Sequence, residues 1–288
     1  IRDNYDIIVS YLEGPTARIV SGCTNPNTKL VSWIHIEQHT KELASKSFRS
    51  YKEALDCYSK FDRTVCVSDT VKDDFESIFD TKKPVEVLYN TNESEKIKKL
   101  SDEQVDDVDF SKDTINIISV AKIVPSKGYD RLMKIHKKLI EKNIKNHIYI
   151  LGIGEEKEKY EKYLTENNLT DTFTFLGYRD NPYKYVKKAD LYVCSSRREG
   201  FSTAVTEALI VGTPVVSTNC SGAYELLGEN NEYGIVTENN EDALYEGIKK
   251  MLTTPNLFEA YAAKAKERGK AFSTEKTVKA VEEMLSAL

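Results

Sequence analysis

At 288 residues the chain is long enough for two domains of ordinary size. Hydrophobic residues make up 40% and charged residues 30%, which excludes a disordered chain. No apolar run approaches the about 20 residues of a membrane-spanning helix. The net charge of -5 points away from nucleic acid as a partner. The five cysteines (Cys23, Cys57, Cys66, Cys194, Cys220) are scattered, with no CxxC pair. They suggest neither a zinc site nor a disulfide framework, and Cys66 and Cys194, in apolar runs, read as core thiols.

The first strand is Asp6–Leu12, ending at Glu13-Gly14-Pro15. Open parallel sheets bind ligands beyond the carboxyl ends of their strands, so Glu13 and Gly14 are candidates for a ligand cleft. Leu30–Ile36 is the second strand, with His35 near its end. His35, Glu37 and His39 alternate and share a face if the strand continues. A metal site there is weighed against a packed histidine, with no further ligands evident. Ser47–Phe61 reads as a helix from Phe48, Tyr51, Leu55 and Tyr58. Lys46, Arg49, Lys52, Lys60 and Arg63 surround it, either as a solvated face or as contacts to an anionic membrane surface. Val65–Val67, Thr70–Phe79 and Val85–Tyr89 continue as strand, helix and strand.

Residues 94–112 are polar and acidic and read as a linker with a short helix at Ser94–Leu100. Its Asp107-Val108-Asp109 resembles a metal-binding string but lies in charged, unburied sequence. The strand Thr114–Val120 opens a second domain. Lys122 and Lys127 follow on a strand-to-helix loop, where two ammonium groups can meet a diphosphate from two sides. After the helix Tyr129–Glu141 comes His147–Leu151 with Gly152-Ile153-Gly154. Lys157 stands where a dinucleotide fingerprint needs its third glycine, which weakens a nicotinamide reading. Gly177-Tyr178-Arg179-Asp180-Asn181-Pro182 is a loop, Tyr183–Lys188 a helix, and Leu191–Ser195 a strand.

Residues 195–227 organise the chain. Glu199-Gly200 is a turn, Thr203–Val211 a helix, and Val215–Thr218 a strand. Ser202 or Thr203 is a natural helix cap, and the amides around Thr203–Val205 open toward an anion. Glu199 stands before the helix and Glu207 within it, eight positions apart, so they reach opposite ends of one elongated ligand. A polyhydroxylated ligand with a central diphosphate suits that layout. Gly234–Val236, Glu241–Leu252, a helix capped by Thr254 with Pro255 first, and a last helix capped by Ser273 complete the chain.

Glu199-Gly200-Phe201 through Glu207-Ala208-Leu209, then Gly212-Thr213-Pro214, Ser221-Gly222 and Glu225, with Lys122 and Lys127 upstream, resembles the donor signature of family-four retaining glycosyltransferases. That resemblance covers Tyr5 to about Leu252. It implies an α/β chain of the GT-B class, two doubly wound Rossmann-like domains facing across a cleft. The expected division is a partial acceptor-side domain at 1–93, the linker at 94–112, a nucleotide-sugar donor domain at 113–270, and a helix at 271–288 crossing back. The first domain lacks the family's opening strands and first glycine-rich loop, so turnover by these residues alone is expected to be weak.

The implied reaction moves a sugar from a nucleoside diphosphate sugar to a saccharide or lipid-linked acceptor, with retention. It needs no metal or cofactor, and a UDP-sugar is favoured over a GDP-sugar. The pattern is similar to that of bacterial enzymes of surface polysaccharide synthesis, cytoplasmic and working at the inner membrane face. Lys122, Lys127, Ser202 and Thr203 are implied at the diphosphate. Glu199, Gly200 and Phe201 are implied at the donor sugar, Glu207 at the ribose, and Gly154, Tyr178 and Arg179 along the nucleotide. Glu199, Lys127 and His35 are the implied catalytic group. Glu13, Gly14 and His35 lie on the acceptor side. Relatives carry Arg where Lys122 stands. The alternative is a nucleotide-sugar-binding module without turnover.

Overall fold

The computed structural model describes residues 4–288, which divide into two compact units, 4–91 with 275–288 and 92–274. The first unit runs β1 (Ile7–Ser10), α1 (Pro15–Val20), β2 (Lys29–Ile34), α2 (Lys41–Ala44), α3 (Tyr51–Tyr58), β3 (Arg63–Cys66), α4 (Asp69–Ile78) and β4 (Val85–Val87). Its four strands are parallel in sequence order, Val31 opposite Arg63 and Val65 opposite Glu86. Parallel neighbours need crossovers, and the helices supply them. Their starts are set by side-chain caps. Ser50 accepts the Glu53 amide and Ser68 the Val71 amide, each satisfying a donor that the first turn leaves over. The cap at Ser50 explains why α3 begins at Tyr51 and not at Ser47. Strand β2 ends at Ile34, so the alternation expected of His35, Glu37 and His39 does not occur. His39 has φ 62° and donates its amide to Asp74.

The second unit begins with α5 (Ser94–Ser101), followed by β5 (Ile115–Val120), α6 (Tyr129–Glu141), β6 (Asn146–Leu151), α7 (Lys157–Glu166), β7 (Phe173–Gly177), α8 (Tyr183–Lys188), β8 (Leu191–Cys194), α9 (Thr203–Val211), β9 (Val215–Thr218), α10 (Ala223–Leu227), β10 (Ile235–Thr237), α11 (Glu241–Thr253) and α12 (Leu257–Gly269). The stretch read as a linker is thus part of this unit. Helix α5 packs on α8 and α9, and its Ile97 is buried. The expected Thr254 cap is also corrected: Asn256, with φ 60°, precedes α12, which starts at Leu257. Helix α13 (Thr274–Ser286) closes the chain.

The six strands are parallel in the order β10-β9-β8-β5-β6-β7. Ile117, Ile148, Ile150, Leu191, Val193 and Val216 are buried in the sheet against Leu132, Ile135 and Leu139 of α6. The chain winds outward from β5 through β6 to β7, returns to β8 beside β5, and winds the other way. Among the described residues no helix is long and apolar enough to cross a membrane.

Candidate functional site

The strand order reverses between β5 and β8, and a doubly wound sheet opens a crevice at the carboxyl ends of such a pair. A cavity of about 400 Å³ lies there. Its walls come from Ser119–Lys122 at and just past the end of β5, from Lys127 and Tyr129, from Cys194 and Ser196 at and just past the end of β8, and from Glu199 with 201–204. A second cavity of about 440 Å³ shares Val120, Ala121 and Lys122 and continues to Ile153, Tyr178, Arg179 and Tyr183.

Lys127 and Glu199, 72 positions apart, meet in the first cavity at 2.7 Å. Their side chains are 23% and 14% exposed, so this pair is screened less than a surface bridge. Ser196 Oγ donates to the same carboxylate at 2.5 Å. Both bonds fall on Oε1. A carboxylate offers about four lone-pair sites and an ammonium three donors. The pair therefore presents a fixed donor and a fixed acceptor side by side while each keeps capacity for a ligand.

The two loops carrying the pair are joined below it. Arg131, 5% exposed on α6, donates to the carbonyls of Ser195 (2.8 and 2.5 Å) and Ser196 (2.6 Å). Ser195 Oγ donates to the Lys127 carbonyl, and the Arg197 amide to that of Ser126. Gly128, with φ 70°, lets the loops touch: a Cβ there would stand 2.1 Å from the Ser195 carbonyl oxygen. Only glycine tolerates both conditions.

Helix α9 starts at the cavity. Ser202 caps it, its Oγ accepting the Val205 amide at 3.4 Å, while the first-turn amides of Thr203 and Ala204 have no acceptor within the helix. Glu207, further along α9, receives the Tyr183 hydroxyl at 3.4 Å. Glu199 is thus at the first cavity and Glu207 beside a residue of the second.

Burial raises the Glu207 carboxyl from its ordinary 4.5 to about 7, against a smaller opposing effect of the Tyr183 hydroxyl. With the folded value above the unfolded one, its contribution to stability is present below about 4.5 and is lost as pH rises through about 7. Wild type should therefore lose about 2–3 kcal/mol relative to Glu207→Gln between those limits. Denaturant unfolding of both proteins across that range checks this. Parallel profiles would show that Glu207 is not held in its uncharged form.

Of the residues expected at the donor, Lys122, Lys127, Glu199, Phe201, Ser202 and Thr203 line the first cavity, and Tyr178 and Arg179 the second. Gly200 lies in the same loop as Glu199 and Phe201. Gly154 follows Gly152 and Ile153, which line the second cavity. It lines neither cavity and presses on Ile123, whose carbonyl oxygen would be 2.1 Å from a Cβ. Its need for glycine is internal packing. Asp107 takes Arg179 at 3.0 Å and the Tyr185 hydroxyl at 2.8 Å, a structural use of that acidic string. Among the described residues no three His, Cys, Asp or Glu side chains gather as a metal would require.

In the first unit, Glu13 accepts the His35 amide at 3.0 Å and Gly14 donates to the Tyr58 hydroxyl at 3.1 Å. His35 stacks edge-on to Tyr11, and its buried Nε2 has no hydrogen-bond partner among the described residues. Burial lowers its pKa, so the ring is neutral near pH 7. Among the basic residues around α3, Lys52 pairs with Asp56, Arg63 with Glu86, and Lys60 reaches the Ser21 carbonyl. Sequence reasoning passed over Arg131, Ser196 and Tyr183. Only Arg131 left a signal, a charge set beside the apolar stripe Leu132, Ile135 and Leu139.

Residues 101–268 match the family described as Glycosyl transferases group 1. The chain is 31% identical over 275 residues to the N-acetylgalactosamine-N,N'-diacetylbacillosaminyl-diphospho-undecaprenol 4-alpha-N-acetylgalactosaminyltransferase of Campylobacter jejuni, covering 94% of this chain and 70% of that protein. It is 28% identical over 151 residues to the poly(ribitol-phosphate) alpha-N-acetylglucosaminyltransferase of Staphylococcus aureus, covering 51% and 30%. Among solved structures, HepE of Anabaena in complex with UDP superposes with a TM-score of 0.81 at 18% identity, over 99% of this chain and 79% of that one. The fold is that of GT-B glycosyltransferases, built from Rossmann-like parallel α/β units.

Proposed function

This chain belongs to the group 1 glycosyl transferases, and from that premise we propose that it moves a sugar from a UDP-sugar to a saccharide or lipid-linked acceptor with retention of anomeric configuration. The observation that carries the reading is the Lys127–Glu199 couple at the switch point, facing the start of α9. The Campylobacter relative is named for a diphospho-undecaprenol acceptor and HepE was crystallised with UDP. Both support a UDP-sugar donor and a lipid-linked or polymeric acceptor. We place the reaction in surface polysaccharide synthesis, at the cytoplasmic face of the membrane.

The chemistry follows from the charges. Breaking the sugar–phosphate bond builds negative charge on the leaving diphosphate. Lys127, Lys122 and the first-turn amides of α9 stabilise that charge from fixed positions, which is more effective than solvent that must reorganise. Glu199 accepts donor-sugar hydroxyls beside Lys127 and so sets the distance between sugar and phosphate. Glu207 accepts the ribose hydroxyls, and Tyr178 and Arg179 border the nucleotide. The leaving oxygen assists removal of the acceptor proton on the same face, so no protein nucleophile is required. Glu13 and His35 lie on the acceptor side.

A melting-temperature panel of UDP-, GDP- and ADP-sugars, paired with a transfer assay, tests this. A UDP-sugar at about 100 times its Kd should add about 2.7 kcal/mol. Because cations of the chain carry the diphosphate, EDTA should leave the shift unchanged. A shift abolished by EDTA and restored by manganese would sink this mechanism, and the absence of any nucleotide-sugar effect would sink the assignment.

A further inference from the structure

The acidic string that begins at Asp107 takes no part in the transfer described above, yet the segment leading to it is bound to one wall of the second cavity. Tyr178, Arg179, Asp180, Pro182 and Tyr183 line that wall. The chain enters it from β7 through Gly177, whose φ is 72°. Among the described residues no backbone-to-backbone bond outside the sheet reaches 178–181. Side chains hold the wall instead. Asn181 Nδ2 donates to the Leu100 carbonyl at 2.8 Å and to Glu103 Oε2 at 2.9 Å, and Lys184 Nζ donates to the Gln104 carbonyl at 2.9 Å. Asp107 ends this strap. The hydroxyl of Tyr185, 3% exposed on α8, donates to Oδ1 at 2.8 Å. Arg179 donates to Oδ2 from Nε at 3.2 Å and from Nη2 at 3.0 Å, and its Nη1 donates to the Tyr178 carbonyl at 3.2 Å.

We propose that Asp107 is a positioning residue for the nucleotide: it holds Arg179, and through it fixes the wall 178–183 that sets donor affinity and base preference. This rests on the reading of the second cavity as the nucleotide's place. The two carboxylate oxygens divide the work. Buried Tyr185 fixes one of them, and the other takes the guanidinium. A lone ion pair this exposed contributes little. Here two nitrogens converge on an oxygen whose carboxylate is already anchored, so the guanidinium is held in direction as well as in charge.

All three nitrogens of Arg179 are thus engaged, and the third ties down the Tyr178 carbonyl in the wall itself. The diphosphate is left to Lys122, Lys127 and the amides of α9. Bases differ in where their donors and acceptors stand, and a fixed wall tells them apart better than a loose one. A loose wall also binds more weakly, because ordering it then falls to the ligand.

The test compares Asp107→Ala with Asp102→Ala. Asp102 belongs to the same segment and pairs with Lys187, which does not line the cavity. Both variants lose one negative charge. Calorimetry with UDP and GDP, steady-state kinetics and hydrogen exchange of the 178–183 amides are the readouts. Asp107→Ala should bind UDP about tenfold more weakly, the factor that one charge-assisted hydrogen bond is worth. The loss should appear in KM, with kcat within about twofold. The preference between UDP and GDP should shrink, and the 178–183 amides should exchange faster. Asp107→Asn, which keeps an acceptor oxygen, should fall between, and Asp102→Ala should match wild type in all four readouts. In an Arg179→Ala background the Asp107 change should add less than about twofold. Wild-type UDP affinity and exchange in Asp107→Ala would overturn the proposal, as would an equal loss in Asp102→Ala. If the wall loosens in Asp107→Ala but wild type binds no nucleotide, the proposal falls with the reading of the cavity, and the exchange data identify that reading as the fault.

Discussion

Replacing Lys127 by alanine is expected to lower kcat by about 100- to 1000-fold, the range seen when one fixed charge-stabilising group is removed from an active site. Its ammonium is positioned by Glu199 at 2.7 Å and stands in the cavity lined by the start of α9. Because charge on the diphosphate grows as the sugar leaves, the loss should fall mainly on kcat and less on KM. Arginine at the same position keeps the charge but brings a planar fork into a space shaped by a compact ammonium, so recovery should be partial. Steady-state kinetics with a UDP-sugar check this. A kcat within threefold of wild type in Lys127→Ala would remove Lys127 from the mechanism.

Arg131→Met should be the most damaging change away from the cavity surface. The guanidinium is buried and bonds the carbonyls of two consecutive residues, Ser195 and Ser196. Hydrogen bonds to a charged group contribute about 1.5–3 kcal/mol each, and orphaned buried carbonyls add a further penalty. A loss of about 3 kcal/mol or more is expected, lowering Tm by about 6–12 °C for a chain of this size. Donor affinity should fall as well, because Ser196 also holds Glu199. Arg131→Lys should recover part of the stability with a smaller share of the affinity, since one ammonium cannot fork across both carbonyls. Thermal melts and calorimetry on the two variants separate these effects. Wild-type melting and affinity in Arg131→Met would overturn the positioning role.

The regular periodicity of the second unit made it legible in the sequence. Tyr129–Glu141, Tyr183–Lys188, Thr203–Val211 and Val215–Thr218 have the bounds that apolar spacing predicts. The short helices Pro15–Val20 and Lys41–Ala44 were not legible, because so few residues carry no period. At the site, Lys122, Lys127, Glu199 and 201–203 line one cavity. Their pairing could not be read. Lys127 and Glu199 are joined only by the reversal of strand order, and sequence offers no measure of distance across it. The packing at Gly154 was not legible either: a glycine demanded by a neighbouring carbonyl looks in sequence like one demanded by a ligand.

The return of β8 to the side of β5 also has a consequence for how the molecule comes into being. Ile117 pairs with Leu191 across that junction, so an intervening loop of roughly 70 residues must close before the pair forms, a slow, non-local event. Strands β5, β6 and β7 and their helices can assemble from local contacts first. The cavity has no walls on one side until β8 has been synthesised and drawn back, so it cannot form before that long-range closure.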